Sequence, residues 1–176
     1  KDGNAATMRN GPWFDCLVSY HAAIAPIRWI QDRQNFFSLY HDGEHVIIGG
    51  GNTKLQPLWS TFTVGDPSLL KHKPGDENPD FLPPPGLLHT PTDAKLDAAQ
   101  GRVELTYGDV KCAATVDISD PSKATVTYEL LTPTDQRVEA HVTMLPQMKA
   151  KWRTASGKTG TLSAAPISLA AGEAGE

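Results

Sequence analysis

The dipeptide Asp42-Gly43 sits between two runs of strand-forming residues, NFFSLYH before it and EHVIIG after it. Asp-Gly supplies the positive φ angles of a two-residue type I′ loop, whose twist matches that of paired strands. A tight turn there pairs His41 with Glu44, Tyr40 with His45, Leu39 with Val46 and Phe37 with Ile48. Strand alternation then gathers Phe37, Leu39, Val46 and Ile48 on one apolar face and leaves Phe36, Ser38, Tyr40, His45 and Ile47 on the other. A third run, Leu58 to Val64, extends the hairpin into a meander. A chain organised around such a hairpin is committed to sheet.

The rest of the sequence agrees. Fourteen prolines and fifteen glycines in 176 residues interrupt the chain too often for long helices. In the second half, Gly101 to Tyr107, Val110 to Ile118, Ala124 to Leu131 and Val138 to Leu145 read as strands separated by turn residues. Val103, Leu105 and Tyr107 alternate with polar residues, as do Ala124, Val126, Tyr128 and Leu130, and Val138, Ala140, Val142 and Met144, which predicts an antiparallel meander with one buried face. WFDCLVSY, from Trp13 to Tyr20, is a further strand, and IRWI a short one after an irregular segment from His21. Met148 to Thr154 and Thr161 to Leu169 add two more around Ser156-Gly157. Lys1 to Gly11 reads as an irregular lead-in, and Gly65 to Thr92 as a long connection stiffened by Pro83-Pro84-Pro85. The expected fold is an all-β antiparallel sandwich of about eight to ten strands, one domain over residues 1–176. The chain begins at Lys1 without an initiator Met or a signal-peptide pattern, as a processed protein or a piece of a longer one does.

Charge and cysteine usage narrow the function classes. The net charge is −4, and Lys and Arg are scattered, so the basic stripe of a nucleic-acid binder is missing. No apolar run reaches the roughly 20 residues of a membrane-spanning helix. Cys16 and Cys112 either form one disulfide closing a loop of about 100 residues or remain buried free thiols, and neither has zinc-ligand spacing. Gly49-Gly50-Gly51 lacks the third glycine of a dinucleotide loop, where Lys54 stands, and Gly157-Lys158-Thr159 lacks the leading glycine of a phosphate loop, where Trp152 stands. No cofactor is therefore expected.

The densest chemistry lies at the hairpin, in Tyr40, His41, Asp42, Glu44 and His45. A hairpin end sets His41 beside Glu44 as a cross-strand pair able to share a proton, with Tyr40 and His45 meeting on the opposite face. A solvated polar turn is the alternative. His21, Arg28, Asp32 and Arg33 line the same region if the preceding strand is its neighbour. Trp29 and Trp59 offer flat apolar surface for sugar rings, with Arg28, Tyr40, His45 and Asn52 as polar neighbours.

Over Gln31 to Thr53, the order of a polar-aromatic strand, Ser-Leu-Tyr-His-Asp-Gly-Glu and a short apolar strand ending in glycines resembles the β-sandwich portion of heparinase II/III-like polysaccharide lyases. In that family the sandwich completes an active site built mainly on a preceding helical toroid. The resemblance implies His21 or Tyr40 as proton-handling groups and Arg28 as a carboxylate partner; His41 and Glu44 complete the catalytic candidates. Three functions follow in order: a carbohydrate-associated domain, either an accessory part of a larger polysaccharide-processing protein or a stand-alone binder of an oligosaccharide or polysaccharide; a structural or interaction module; and a catalytic lyase or hydrolase, a polysaccharide lyase by the resemblance. A secreted or periplasmic setting suits the first.

Overall fold

A computed structural model describes residues 4–21, 35–49, 60–69, 85–144, 150–163, 165 and 167–176. The chain divides into two units, Lys1–Thr143 and Met144–Glu176. The described residues carry no helix beyond a 3-10 turn at Pro67–Leu69, and the fold is all-β and antiparallel. Thirteen strands are formed among the described residues, more than the eight to ten expected.

In the first unit, β1 (Ala5–Asn10), β2 (Trp13–Val18), β3 (Phe37–His41) and β4 (His45–Ile48) make a four-stranded sheet in chain order. β5 (Phe62–Gly65) and β6 (Leu87–Leu88) belong to another sheet. β7 (Asp93–Asp97), β8 (Arg102–Tyr107), β9 (Val110–Asp117) and β10 (Thr125–Leu130) form the meander, and β11 (Val138–Ala140) leaves it to pair with β5. In the second unit, β12 (Lys151–Arg153) pairs with β13 (Thr159–Thr161).

Tight two-residue loops do occur, at Gly11-Pro12 and Gly108-Asp109. In both, glycine takes the positive φ of the first loop position, 55° and 62°. The loop at Asp42-Gly43 is longer. Its i→i+3 bond runs from Glu44 N–H to the His41 carbonyl, His41 pairs with His45, and the positive φ falls on His45 at 63° rather than on Asp42 or Gly43. A register shift follows between Leu39 and Tyr40, so Leu39 pairs with Ile48 and Tyr40 with Val46. Val46, expected in the core, is consequently 40% exposed, whereas Phe37, Leu39 and Ile48 are buried.

Other expectations are corrected as well. The lead-in contains β1, which pairs with β2 along its whole length. The run ending at Val64 does not extend the hairpin: β5 lies between β11 and β6. The run from Val138 stops as a strand at Ala140, and Val142 beyond it is exposed. Leu130, expected to alternate into the core, is exposed as well. The pair Leu87 and Leu88 and the polar strand β7 are also strands that composition had hidden.

The core lies where the sheets of the first unit meet. Leu17, Phe37, Leu39 and Ile48 of the first sheet pack in one cluster with Val103, Leu105, Tyr107, Val110, Cys112, Ala114 and Val116 of the meander. Phe62 and Val64 add the third sheet, with the Phe62 ring 6.2 Å from Tyr107 and 5.7 Å from Tyr128. Each such side chain, fully buried, contributes about 1.5–3 kcal/mol. Both cysteines are free thiols, Cys112 inside the core and Cys16 partly buried.

Candidate ligand-binding face

Alternation fixes the two faces of the first sheet. Trp13, Asp15 and Leu17 of β2 and Phe37, Leu39 and His41 of β3 share the inner one, since their pairings are Trp13–His41, Asp15–Leu39 and Leu17–Phe37. The outer face therefore carries Phe14, Cys16, Ser38 and Tyr40, with Thr7 and Arg9 from β1 and Val46 from β4. The register aligns Arg9, Phe14, Tyr40 and Val46 in one row across all four strands. The next row holds Thr7, Cys16 and Ser38. Arg9, Ser38 and Val46 are exposed, and the two rings are partly so.

Phe14 and Tyr40 are direct cross-strand neighbours, with Cα atoms about 4.5–5.5 Å apart as such pairs are. Both side chains therefore stand side by side on an outer face. At its rim the Arg9 guanidinium meets the Asp42 carboxylate at 2.6 Å, and the His45 ring lies 6.3 Å from that of Tyr40. The meander's outer face contrasts with it. There Arg102 binds Glu129, with Glu104 at 3.4 Å and the Thr115 hydroxyl at 3.2 Å, among Lys95, Asp97 and Lys111. Burial opposed by these carboxylates leaves the Arg102 pKa raised, chiefly through its bond to Glu129. One outer face is a lattice of charge, the other an aromatic strip.

The predicted site residues separate. The Tyr40 and His45 rings lie 6.3 Å apart, although Tyr40 pairs with Val46 and not with His45 as expected. His41 lies on the inner side, its ring 4.6 Å from Trp13 and its Nδ1 accepting the Gly43 N–H at 3.1 Å. The longer loop pairs His41 with His45 and sets Glu44 in the exposed turn, so the expected His41–Glu44 cross-strand pair is not formed. His21 is partly buried, with Nδ1 3.5 Å from the Ser19 carbonyl oxygen. Arg28, Trp29, Asn52 and Trp59 lie outside the described residues, as do Asp32, Arg33 and Lys54. Sequence reasoning missed Phe14 and Arg9. The signal was the alternation in WFDCLVSY, which leaves open which half faces inward until β1 is recognised.

A second polar cluster occupies the side of β5 turned away from the core. Phe62 and Val64 point to the core, so Thr61 and Thr63 face the other way. The Thr63 hydroxyl hydrogen-bonds with His141 Nε2 at 3.0 Å, and Glu139 Oε2 stands 3.8 Å from the same nitrogen. Hydroxyl and carboxylate thus address one ring nitrogen. A nucleophile triad needs them on opposite nitrogens, so Thr63 is not activated by this pair. Burial lowers the His141 pKa, partly offset by Glu139. His89, one residue past β6, is 1% exposed, with Nε2 lacking a hydrogen-bond partner. Burial pushes its pKa down to about 4. Thr61 Oγ1 accepts the Phe36 N–H and donates to Asn35 Oδ1. Among the described residues no three His, Cys, Asp or Glu side chains are grouped to hold a metal ion.

Fold and site together define an antiparallel β-sandwich with one charged outer face and one aromatic outer face. No protein-family model, no curated protein and no solved structure matches this chain.

Proposed function

We propose that the chain is a carbohydrate-associated β-sandwich domain that binds sugar on the outer face of its first sheet. The observation that carries this reading is the row Arg9–Phe14–Tyr40–Val46. Aromatic side chains outside a core present a flat apolar surface, and a sugar ring presents C–H bonds to such a surface while its hydroxyls seek polar groups at the rim. Arg9, Asp42 and Ser38 are those groups. Tyr40 acts here as a stacking surface, and no proton transfer is assigned to it: His41, its neighbour among the catalytic candidates, faces the other side of the sheet.

Titration of the protein with a panel of oligosaccharides, followed by backbone amide chemical shifts, tests this. Shifts are expected in β1 to β4 and not in β7 to β10. Tyr40→Ala should weaken binding about tenfold or more, a loss of about 1.4 kcal/mol, with little change in melting temperature. Cys16, one row from Tyr40, should be alkylated more slowly when sugar is bound. Silence across the panel would leave the interaction-module reading, for which the exposed Leu130 and Leu131 at the end of edge strand β10 speak.

A further inference from the structure

We infer that the ligand of this face is an uncharged sugar, gripped as a single pyranose ring, rather than an acidic glycan chain. The inference rests on the sugar-binding reading above and deepens it.

Size is the first argument. Phe14 and Tyr40 are adjacent on neighbouring strands, which lie ~4.8 Å apart. Two side chains in one row on adjacent strands make a single aromatic patch, and no third aromatic side chain of the described residues continues that row. A track for a chain needs aromatic surfaces at successive sugar positions, but the row ends in Val46 on one side and Arg9 on the other.

Charge is the second. Among the described residues, Arg9 is the cation on this face, and Asp42 already holds it at 2.6 Å. Glu44 adds another exposed carboxylate in the same turn, and the chain as a whole is −4. A uronate or sulfate would have to displace Asp42 from Arg9 and then sit beside it. A neutral hydroxyl is both donor and acceptor, so it can give its proton to Asp42 while accepting from Arg9. A carboxylate only accepts, and it leaves Asp42 facing like charge. The exposed hydroxyls of Ser38 and Thr7, one row away, extend the same neutral chemistry.

The experiment uses matched probes on the full chain: the methyl glycosides of glucose, galactose and mannose, their uronic acids, and oligosaccharides of each. Affinities are measured at low and high salt. At least one neutral glycoside is expected to bind, about tenfold or more tighter than its uronic acid, as suits a site built to bond hydroxyls. Its affinity should be insensitive to salt and within about threefold of that of its own oligosaccharide, since a single ring carries the contact. Asp42→Asn keeps an acceptor oxygen but frees Arg9. It should narrow the discrimination against the uronic acid without moving the melting temperature. Tighter binding of the acidic probe, falling with salt, would overturn the inference and leave the sugar-binding reading standing. So would an oligosaccharide that binds while its monosaccharide does not. Failure of every probe removes the sugar-binding reading itself, and this inference with it.

Discussion

Asp15 is a carboxylic acid in a place where leucine would be expected. It lies on the inner face of β2 between Trp13 and Leu17 and is 0% exposed. One oxygen accepts the Met8 N–H at 3.0 Å, and the other has no partner. Burial raises its pKa from the ordinary 3.8 to about 6, opposed by the Met8 bond. The folded state therefore prefers the protonated acid. Its contribution to stability is full below pH 3.8 and is lost as pH rises through about 6, a change of up to about 3 kcal/mol. Asp15→Asn keeps the acceptor for Met8 and removes the ionisation. Denaturant unfolding of both proteins from pH 4 to pH 8 should show the variant gaining on the native chain as pH rises; a constant difference would contradict the assignment. Gly65 makes a second case. Its φ is 114°, and a Cβ there would stand 2.0 Å from the Gly86 carbonyl oxygen. Gly65→Ala should cost more than about 2 kcal/mol, because backbone of β5 and β6 would have to separate. Neither position was legible in the sequence. An aspartate amid strand residues reads as outward-facing, and a glycine closing a strand reads as an ordinary turn.

At the scale of the element, the central hairpin was legible in existence and location but not in register. The type I′ expectation rested on the preference of Asp-Gly for positive φ. That preference yields when one more loop residue lets Glu44 bond back to His41 and passes the left-handed conformation to His45. A non-glycine residue there is disfavoured by roughly 1–2 kcal/mol. His45→Gly is accordingly expected to raise the melting temperature by a few degrees, despite losing the ring contact with Tyr40. Gly43→Ala should be nearly neutral, within about 0.5 kcal/mol, because a Cβ there meets the His41 ring at an ordinary 3.5 Å. Had the turn been type I′, the alanine would be the costly change and the glycine the neutral one, so thermal melts of the two variants discriminate. Strands β8 and β9 were legible for the opposite reason: their alternation is strong, and Gly108 permits the tight turn between them. β1 and β7 are sheet edges whose outward residues are polar, as edges that avoid aggregation tend to be. That polarity disguised β1 as an irregular lead-in and left β7 unassigned.

For the whole molecule, periodicity conveyed the class of fold and not the assignment of strands to sheets. β11 follows β10 in sequence, yet pairs with β5. The third sheet closes on the same core through Phe62, against the Tyr107 and Tyr128 rings, and through Val64 with Leu88 and Val138 beside it. The sequence left the cysteines as either a bridge or free thiols, and they are free. A reductant should leave the melting temperature unchanged. In the folded protein a thiol reagent should reach Cys16 first, while Cys112, wholly buried and with its pKa pushed up to about 11, should react only on unfolding.

Asp15 also has a counterpart across the first unit. His89 is depressed from 6.5 to about 4, so its stabilising neutral form is fully present above pH 6.5 and that advantage is lost as pH falls toward 4. Between about pH 4 and pH 6 the unfolded chain holds an imidazolium and a carboxylate, whereas the folded chain holds a neutral imidazole and a carboxylic acid. Folding in that window amounts to moving one proton from the histidine to the aspartate, with almost none exchanged with solvent by this pair. This pair should then add little to the dependence of the heat of unfolding on the buffer's ionisation enthalpy, which is left to groups such as His141. In Asp15→Asn the same heat should become strongly buffer-dependent, because the histidine's proton would have nowhere inside the molecule to go.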